Sequence, residues 1–248
     1  MDPKYADFTE TEYRSLLMLA KKNWRFVPFR ESMQQGKICL WRHDIDLSVH
    51  RAARLAHLEA DEGLRATYFV LPHSTFYNIL EREVRDLLRT IAHLGHDVGL
   101  HFDARFYDID RLEPEGVKQK IAFEKAMLET AIDVPIVAVS YHDGDQIPPE
   151  LKLQDDHLVG LVNAHSRYIR ERFGYCSDSN GYWRYRRLRD VLEANEDERL
   201  HVLTHPGWWV PEAMSPRDRI SRCIDGRVIK QHRTYDIALE KIGRINMK

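Results

Sequence analysis

Four short apolar runs in this chain stop on a carboxylate or an imidazole. Residues 38–41 lead into Arg42-His43-Asp44-Ile45-Asp46, 97–102 end around His101 and Asp103, 136–141 run into His142, and 200–204 run into His205. Stretches of helical periodicity alternate with these runs. Residues 8–22 place Leu16, Leu17 and Ala20 on one face. Ser48 stands as an N-cap before Ala52, Ala53, Leu55 and Ala56, with Gly63 as the stop. Residues 80–94 carry Leu80, Val84, Leu87, Leu88, Ile91 and Leu94 before Gly95. Pro114 opens a helix whose buried face is Val117, Ile121 and Leu128. Two further strands are expected at 66–71 and 158–163, and a polar turn at 177–183. Alternating strands and helices predict an α/β fold with a parallel sheet, in which loops at the carboxyl ends of the strands carry chemistry.

A length of 248 residues suits one α/β barrel, and 43% hydrophobic residues are enough for a real core. Neither an internal repeat nor a low-complexity linker divides the chain. The expectation is therefore a single domain over 1–248 with its core at about 38–209. A formal net charge of −2 gives no basic face for nucleic acid. The densest basic cluster, Arg184, Arg186, Arg187 and Arg189, reads first as a solvated helix face and second as contacts to an anionic substrate. Cys39, Cys176 and Cys223 are odd in number and form no CxxC pair, which argues against a disulfide framework or a thiolate zinc site and favours a reducing compartment. With no apolar run near the ~18 residues needed to cross a bilayer and no signal-peptide pattern, the expectation is no membrane span and a cytoplasmic protein.

Strand parity then sorts the polar residues. Side chains at i and i+2 share a face, so Asp44 pairs with Asp46 and His101 with Asp103, while His43 points the other way into packing. Adjacent carboxylates repel when both are ionised; a divalent cation relieves that repulsion, and added imidazole suits zinc. His96, just after Gly95, reads as structural. His142 is balanced between structure and function, and His205 leans to function. His50, His57, His73, His93, His157, His201 and His232 read as surface or packing residues.

These motifs, in this order, resemble those of polysaccharide deacetylases of the NodB-homology type (carbohydrate esterase family 4). They are Arg42-His43-Asp44-Ile45-Asp46, then Ala66-Thr67-Tyr68-Phe69-Val70, then Gly95-His96-Asp97-Val98-Gly99-Leu100-His101, and finally Leu203-Thr204-His205. The first motif resembles most the divergent Arg-His-Asp-x-Asp branch found among enzymes of surface-polysaccharide synthesis, including O-antigen-like and lipopolysaccharide assembly. The resemblance implies a distorted (β/α) barrel of about seven parallel strands. It also implies metal-dependent hydrolysis of N- or O-acyl groups on a sugar or glycan. By the same resemblance Asp44 is the catalytic base, His205 the general acid, and Asp46 and His101 are metal ligands.

The chain departs from the pattern at three places. Ile45 separates carboxylates that are usually adjacent. Arg105 stands where a second histidine ligand would be. Ser140-Tyr141-His142 replaces a third motif that usually offers an arginine. The third ligand then falls to His142 ahead of Asp103. Asp103, Asp178, Trp183 and Trp208 are the expected substrate contacts. Two alternatives stand beside this reading: a related hydrolase of a non-sugar amide or imide, and a degenerate barrel that binds a glycan or metal without turnover.

Overall fold

The computed structural model describes residues 3–108 and 111–247. In chain order the elements are α1 (Glu10–Lys21), β1 (Arg25–Phe26), β2 (Ile38–Ile45), α2 (Val49–Asp61), β3 (Thr67–Val70), α3 (Arg82–His93), β4 (Asp97–Phe102), α4 (Pro114–Ile132), β5 (Ile136–Tyr141), β6 (His157–Leu158), β7 (Leu161–Asn163), α5 (Arg167–Arg172), β8 (Gly174–Ser177), α6 (Leu188–Ala194), β9 (Arg199–Thr204) and α7 (Pro216–Lys241). The helix signals act where the sequence puts them. Ser48 accepts the Arg51 backbone N–H, Gly63 and Gly95 take the left-handed backbone after α2 and α3, and Pro114 occupies the first turn of α4.

The sheet runs β6-β7-β5-β4-β3-β2-β9-β8, with β1 beside the start of β2. Every pairing is parallel except β6 with β7. β2 is buried along its whole length, which is why its first half reads as a continuous apolar run.

Parity along the strands separates two layers. Cys39, Trp41 and Ile45 face outward into the helix-covered core with Leu16, Leu55 and Leu88. Ile38 and Leu40 face inward and pack with Phe69, Ala138, Ala164 and Phe173. Farther up, the inward positions turn polar, at Arg42, Asp44, His101 and Ser140, all buried. The interior is thus an apolar floor under a polar chamber. Gly99 makes that floor possible: a Cβ there would lie 2.5 Å from the Phe69 ring and 3.1 Å from the Ala138 carbonyl oxygen.

Several expectations are corrected. The sheet is not closed: β6 and β8 are its two ends, and among the described residues no ladder joins them. The expected strand at 158–163 is a hairpin, because Val159 and Gly160 both take positive φ and reverse the chain. α3 starts at Arg82, leaving Leu80 exposed. β8 precedes the polar turn expected at 177–183, where sequence reading saw only the turn. The core is wider than 38–209: α1 buries Tyr13, Leu16, Leu17 and Ala20, and the first turns of α7 pack on the turn Pro206–Trp208.

Candidate metal and catalytic site

The polar chamber opens into a cavity of about 760 Å³ at the carboxyl ends of the strands. Its inner end is built from Asp46, just past β2, His101 of β4, and His142, just past β5. His101 Nδ1 and the Ser140 hydroxyl are hydrogen-bonded at 2.7 Å; with Nδ1 as the donor, Nε2 keeps a lone pair. That Nε2 lies 3.2 Å from His142 Nδ1, 3.4 Å from Asp46 Oδ1 and 3.4 Å from Asp44 Oδ2. Burial, only partly offset by Asp44, pushes the His101 imidazole down to about 3, so it is neutral at physiological pH. Burial raises the Asp46 carboxyl, with Asp44 adding to the effect and His205 opposing it.

The Asp46 Oδ1 atom is buried and accepts no hydrogen bond within the described residues. An unpaired buried acceptor costs roughly 1–3 kcal/mol. Donor atoms of Asp46, His101 and His142 all lie within 4.8 Å of one another. One carboxylate oxygen and two imidazole nitrogens converging on one point fit a divalent cation.

Asp44 sits beside this cluster in a different state. Arg42 grips it through two hydrogen bonds of 2.7 Å, Nε to Oδ1 and Nη2 to Oδ2, and the remaining guanidinium nitrogen donates to His165 Nε2 at 3.1 Å. Burial works to raise Asp44, but Arg42, then His101, outweigh it and hold the carboxyl well below its ordinary range. Strand parity puts Arg42 and Asp44 on one face, so β2 supplies its own guanidinium in place of one from the third motif.

His205 follows β9. Its Nδ1–H donates to Asp178 Oδ1 at 2.6 Å, and its backbone N–H also reaches Asp178, at 3.0 Å. The Trp209 indole N–H donates to Asp178 Oδ2 at 2.9 Å. Asp178 is fully buried and faces no solvent. Burial alone would lower His205; Asp178, then Asp46 and Asp44, raise it to about 9. Its Nε2 points back to the cluster, 3.7 Å from Asp46 Oδ2.

The fold thus brings together Asp44, Asp46, His101, His142 and His205. Trp208 lines the cavity. Other expected contacts lie elsewhere. Asp178 acts behind His205. Asp103 caps the turn Ala104–Phe106 by accepting the Arg105 backbone N–H at 2.9 Å and is not in the cavity wall. Trp183 stacks on Phe8 at 5.4 Å in the aromatic core. Arg105 turns to Asp143, 2.6 Å away, and to Gln146.

Sequence reading passed over Arg42 as a functional partner and over His165 altogether. Two signals were available. Arg42 shares parity with Asp44, and His165 comes two residues after β7, the same kind of strand-end position as Asp46.

On the opposite face of β2, Glu59 of α2 is buried and satisfied. Oε1 accepts from the Tyr13 hydroxyl and from His43 Nε2 at 2.6 Å, and Oε2 accepts from the Tyr68 hydroxyl at 2.7 Å. His96 bridges α2 to β3: Nε2–H donates to Ala56 O at 2.9 Å and Nδ1 accepts the Ala66 N–H. His43 and His96 thus take the packing and structural places expected of them.

No protein-family model matches the chain, and no curated protein does. Among solved structures it is similar to a CE4-family pseudoenzyme from Bacillus anthracis, with 14% identity over 79% of this chain and 62% of that one, at a TM-score of 0.46. The chain therefore spans about three fifths of that protein's length. It is also similar to the CE4 domain of a multidomain xylanase from the hindgut metagenome of Trinervitermes trinervoides, with 9% identity over 86% of this chain and 93% of that one, at a TM-score of 0.46. A third is a family 4 acetyl xylan esterase from Clostridium thermocellum, in complex with a cobalt ion, with 15% identity over 76% and 84% and a TM-score of 0.44.

Proposed function

We propose that this chain is a metal-dependent hydrolase that removes an N- or O-acyl group from a sugar during assembly of a surface polysaccharide, as a single domain over its 248 residues. One observation carries the reading: the unpartnered Asp46 oxygen converges with two imidazole nitrogens 3.7 Å or less away, and a protonated His205 faces the same carboxylate. Asp46, His101 and His142 are the ligands, and zinc is the metal that best suits one oxygen and two nitrogens. Such a cation supplies Lewis-acid polarisation of the acyl carbonyl and acidifies the attacking water.

The chain's own groups manage the protons. Arg42 keeps Asp44 ionised and fixes its plane, so Asp44 is ready to accept the water proton as the C–O bond forms. Its depressed pKa makes it a weak base that suffices only for an acidified water. His205 is protonated below about pH 9 and its ring is held in one orientation by Asp178. Its Nε2–H donates to the leaving nitrogen or oxygen as the acyl bond breaks. Trp208, in the cavity wall, offers an apolar face to the sugar ring.

The test is turnover and metal content measured together. Protein purified with zinc should hold about one equivalent, as expected of a three-ligand site, and should release acetate from an N-acetylated amino sugar faster than from a simple amide. Failure to bind metal after supplementation, or a preference for the simple amide, would overturn the reading.

A further inference from the structure

We infer that the acylated sugar entering this cavity carries a phosphate or diphosphate group, held by Lys152, Arg170 and Arg184. The inference rests on the hydrolase reading for the sugar, but its anion site stands on separate residues. Within the run 184–189, three arginines are neutralised: Arg186 by Asp197 at 2.7 Å, Arg187 by Asp7 at 2.6 Å and Arg189 by Glu12 at 2.8 Å. Arg184 is different. It lines the cavity, lies over the Tyr185 ring at 5.3 Å, and among the described residues has no carboxylate within ion-pair distance. Lys152 and Arg170 line the same cavity and are equally unpaired among the described residues. Arg105 near the cavity is instead cancelled by Asp143.

The three cations come from opposite ends of the open sheet. Lys152 follows β5 and Arg170 sits on α5 after β7, while Arg184 follows β8 at the far edge. They therefore flank the seam where the sheet fails to close. Asp44 is neutralised by Arg42, and Asp46 faces three imidazoles, so Asp145 is the one other unpaired carboxylate of the described cavity wall. Three cations around a polar mouth suit a doubly charged phosphoryl group better than the single carboxylate of a uronic sugar.

The experiment is calorimetric titration of the zinc-loaded protein with the methyl glycoside of N-acetylglucosamine, its 1-phosphate and its uridine diphosphate conjugate. The phosphorylated probes should bind at least about tenfold tighter than the neutral one at low ionic strength, and the advantage should shrink at about 0.5 M NaCl, where screening is strong. In the triple variant K152E/R170E/R184E the ratio should collapse toward one, whereas R187E, at a pair outside the cavity, keeps it. A melting curve for each variant confirms that it is folded. A farnesyl-diphosphate-linked sugar replaces the nucleotide conjugate to separate a lipid carrier from a nucleotide carrier, and either one outranking the neutral sugar supports the inference. Equal Kd values in the unaltered protein, or a preference that survives the triple charge reversal, overturn it. Preference without turnover of any acyl sugar sinks only the hydrolase reading; turnover without preference sinks only the anion site.

Discussion

Along β2, residues 42 and 44 face the cavity while 43 and 45 face the helices, and each side sets a carboxylate beside imidazole, fully buried behind the strand and half-buried in front. Behind the strand, Glu59 meets Tyr13, His43 and Tyr68, and both of its oxygens are used. In front of it, Asp46 meets His101, His142 and His205, yet Oδ1 accepts nothing and a cavity opens beside it. Both acids have histidine beside them. The behind-strand acid has a full set of donors and fastens α1, α2, β2 and β3 together. The front acid has the imidazoles of His101 and His142 beside its open Oδ1, both able to donate electron pairs, so on our reading a cation completes it, while protonated His205 faces Oδ2. An acid–histidine cluster therefore becomes a site through what is left unpaired and reachable, rather than through composition.

Changing one face at a time breaks or sharpens that contrast. The largest effect is expected from Asp46→Ala: zinc content measured by mass spectrometry should fall to background and acyl hydrolysis should vanish, while the melting temperature is kept or raised because an orphaned acceptor is gone. Full activity in the metal-free variant would sink the front-face reading. Asp178→Asn comes next. It should cut kcat by about 10²–10⁴ by freeing the His205 ring and weakening the imidazolium. His205, at about 9 in the fold against an ordinary value near 6.5, is the group that sets the alkaline limb of the rate profile. Losing Asp178 lowers it, so that limb should move to lower pH; an unmoved limb would exclude His205 as the acid. The same shift bears on stability: the His205–Asp178 contribution is fully present below pH 6.5 and is lost as pH rises through about 9.

On the other face, Glu59→Ala should cost about 3–5 kcal/mol in urea unfolding by stranding His43 and two tyrosine hydroxyls. Its metal affinity, measured on the folded fraction, should be kept. Loss of metal with unchanged stability would reverse the roles of the two faces. The smallest effect is expected for Asp103→Ala, about 0.5–1 kcal/mol from one lost cap, with KM for the sugar unchanged; a several-fold rise in KM would return Asp103 to the substrate.

Much of this was legible in the chain. Parity alone put Asp44 with Asp46 on one face and His43 on the other, and the strand-end rule put Asp46, His101, His142 and His205 at the ends of strands, where the fold brings them to one cavity. Ser48, Gly63, Gly95 and Pro114 marked helix ends because each solves a local backbone problem that needs no distant partner. What stayed hidden depends on distant partners. Asp178 read as a substrate contact because nothing local shows that Trp209 and His205, about thirty residues on, would enclose it. Trp183 read as a substrate contact because its true neighbour, Phe8, lies near the other end of the chain. Strand β8 was missed since Gly174-Tyr175-Cys176-Ser177 has neither an apolar run nor clean alternation, and it is a strand only by lying beside β9. Closure of the sheet, implied by family resemblance, is a property of how its edges meet and has no single-residue signature.

The floor of the chamber sets how this cavity can be redesigned. The Phe69 ring lies 5.1 Å beneath the Arg42 guanidinium and meets Phe29 edge-on at 5.5 Å, and the residue beside it is already glycine. No side chain at position 99 is left to trim, and adding even one methyl group there would overpack the floor at about 1–3 kcal/mol. Depth is therefore a fixed dimension of the molecule. Acceptance of a bulkier acyl group has to be engineered through the cavity wall, around Tyr141, Leu203 and Trp208.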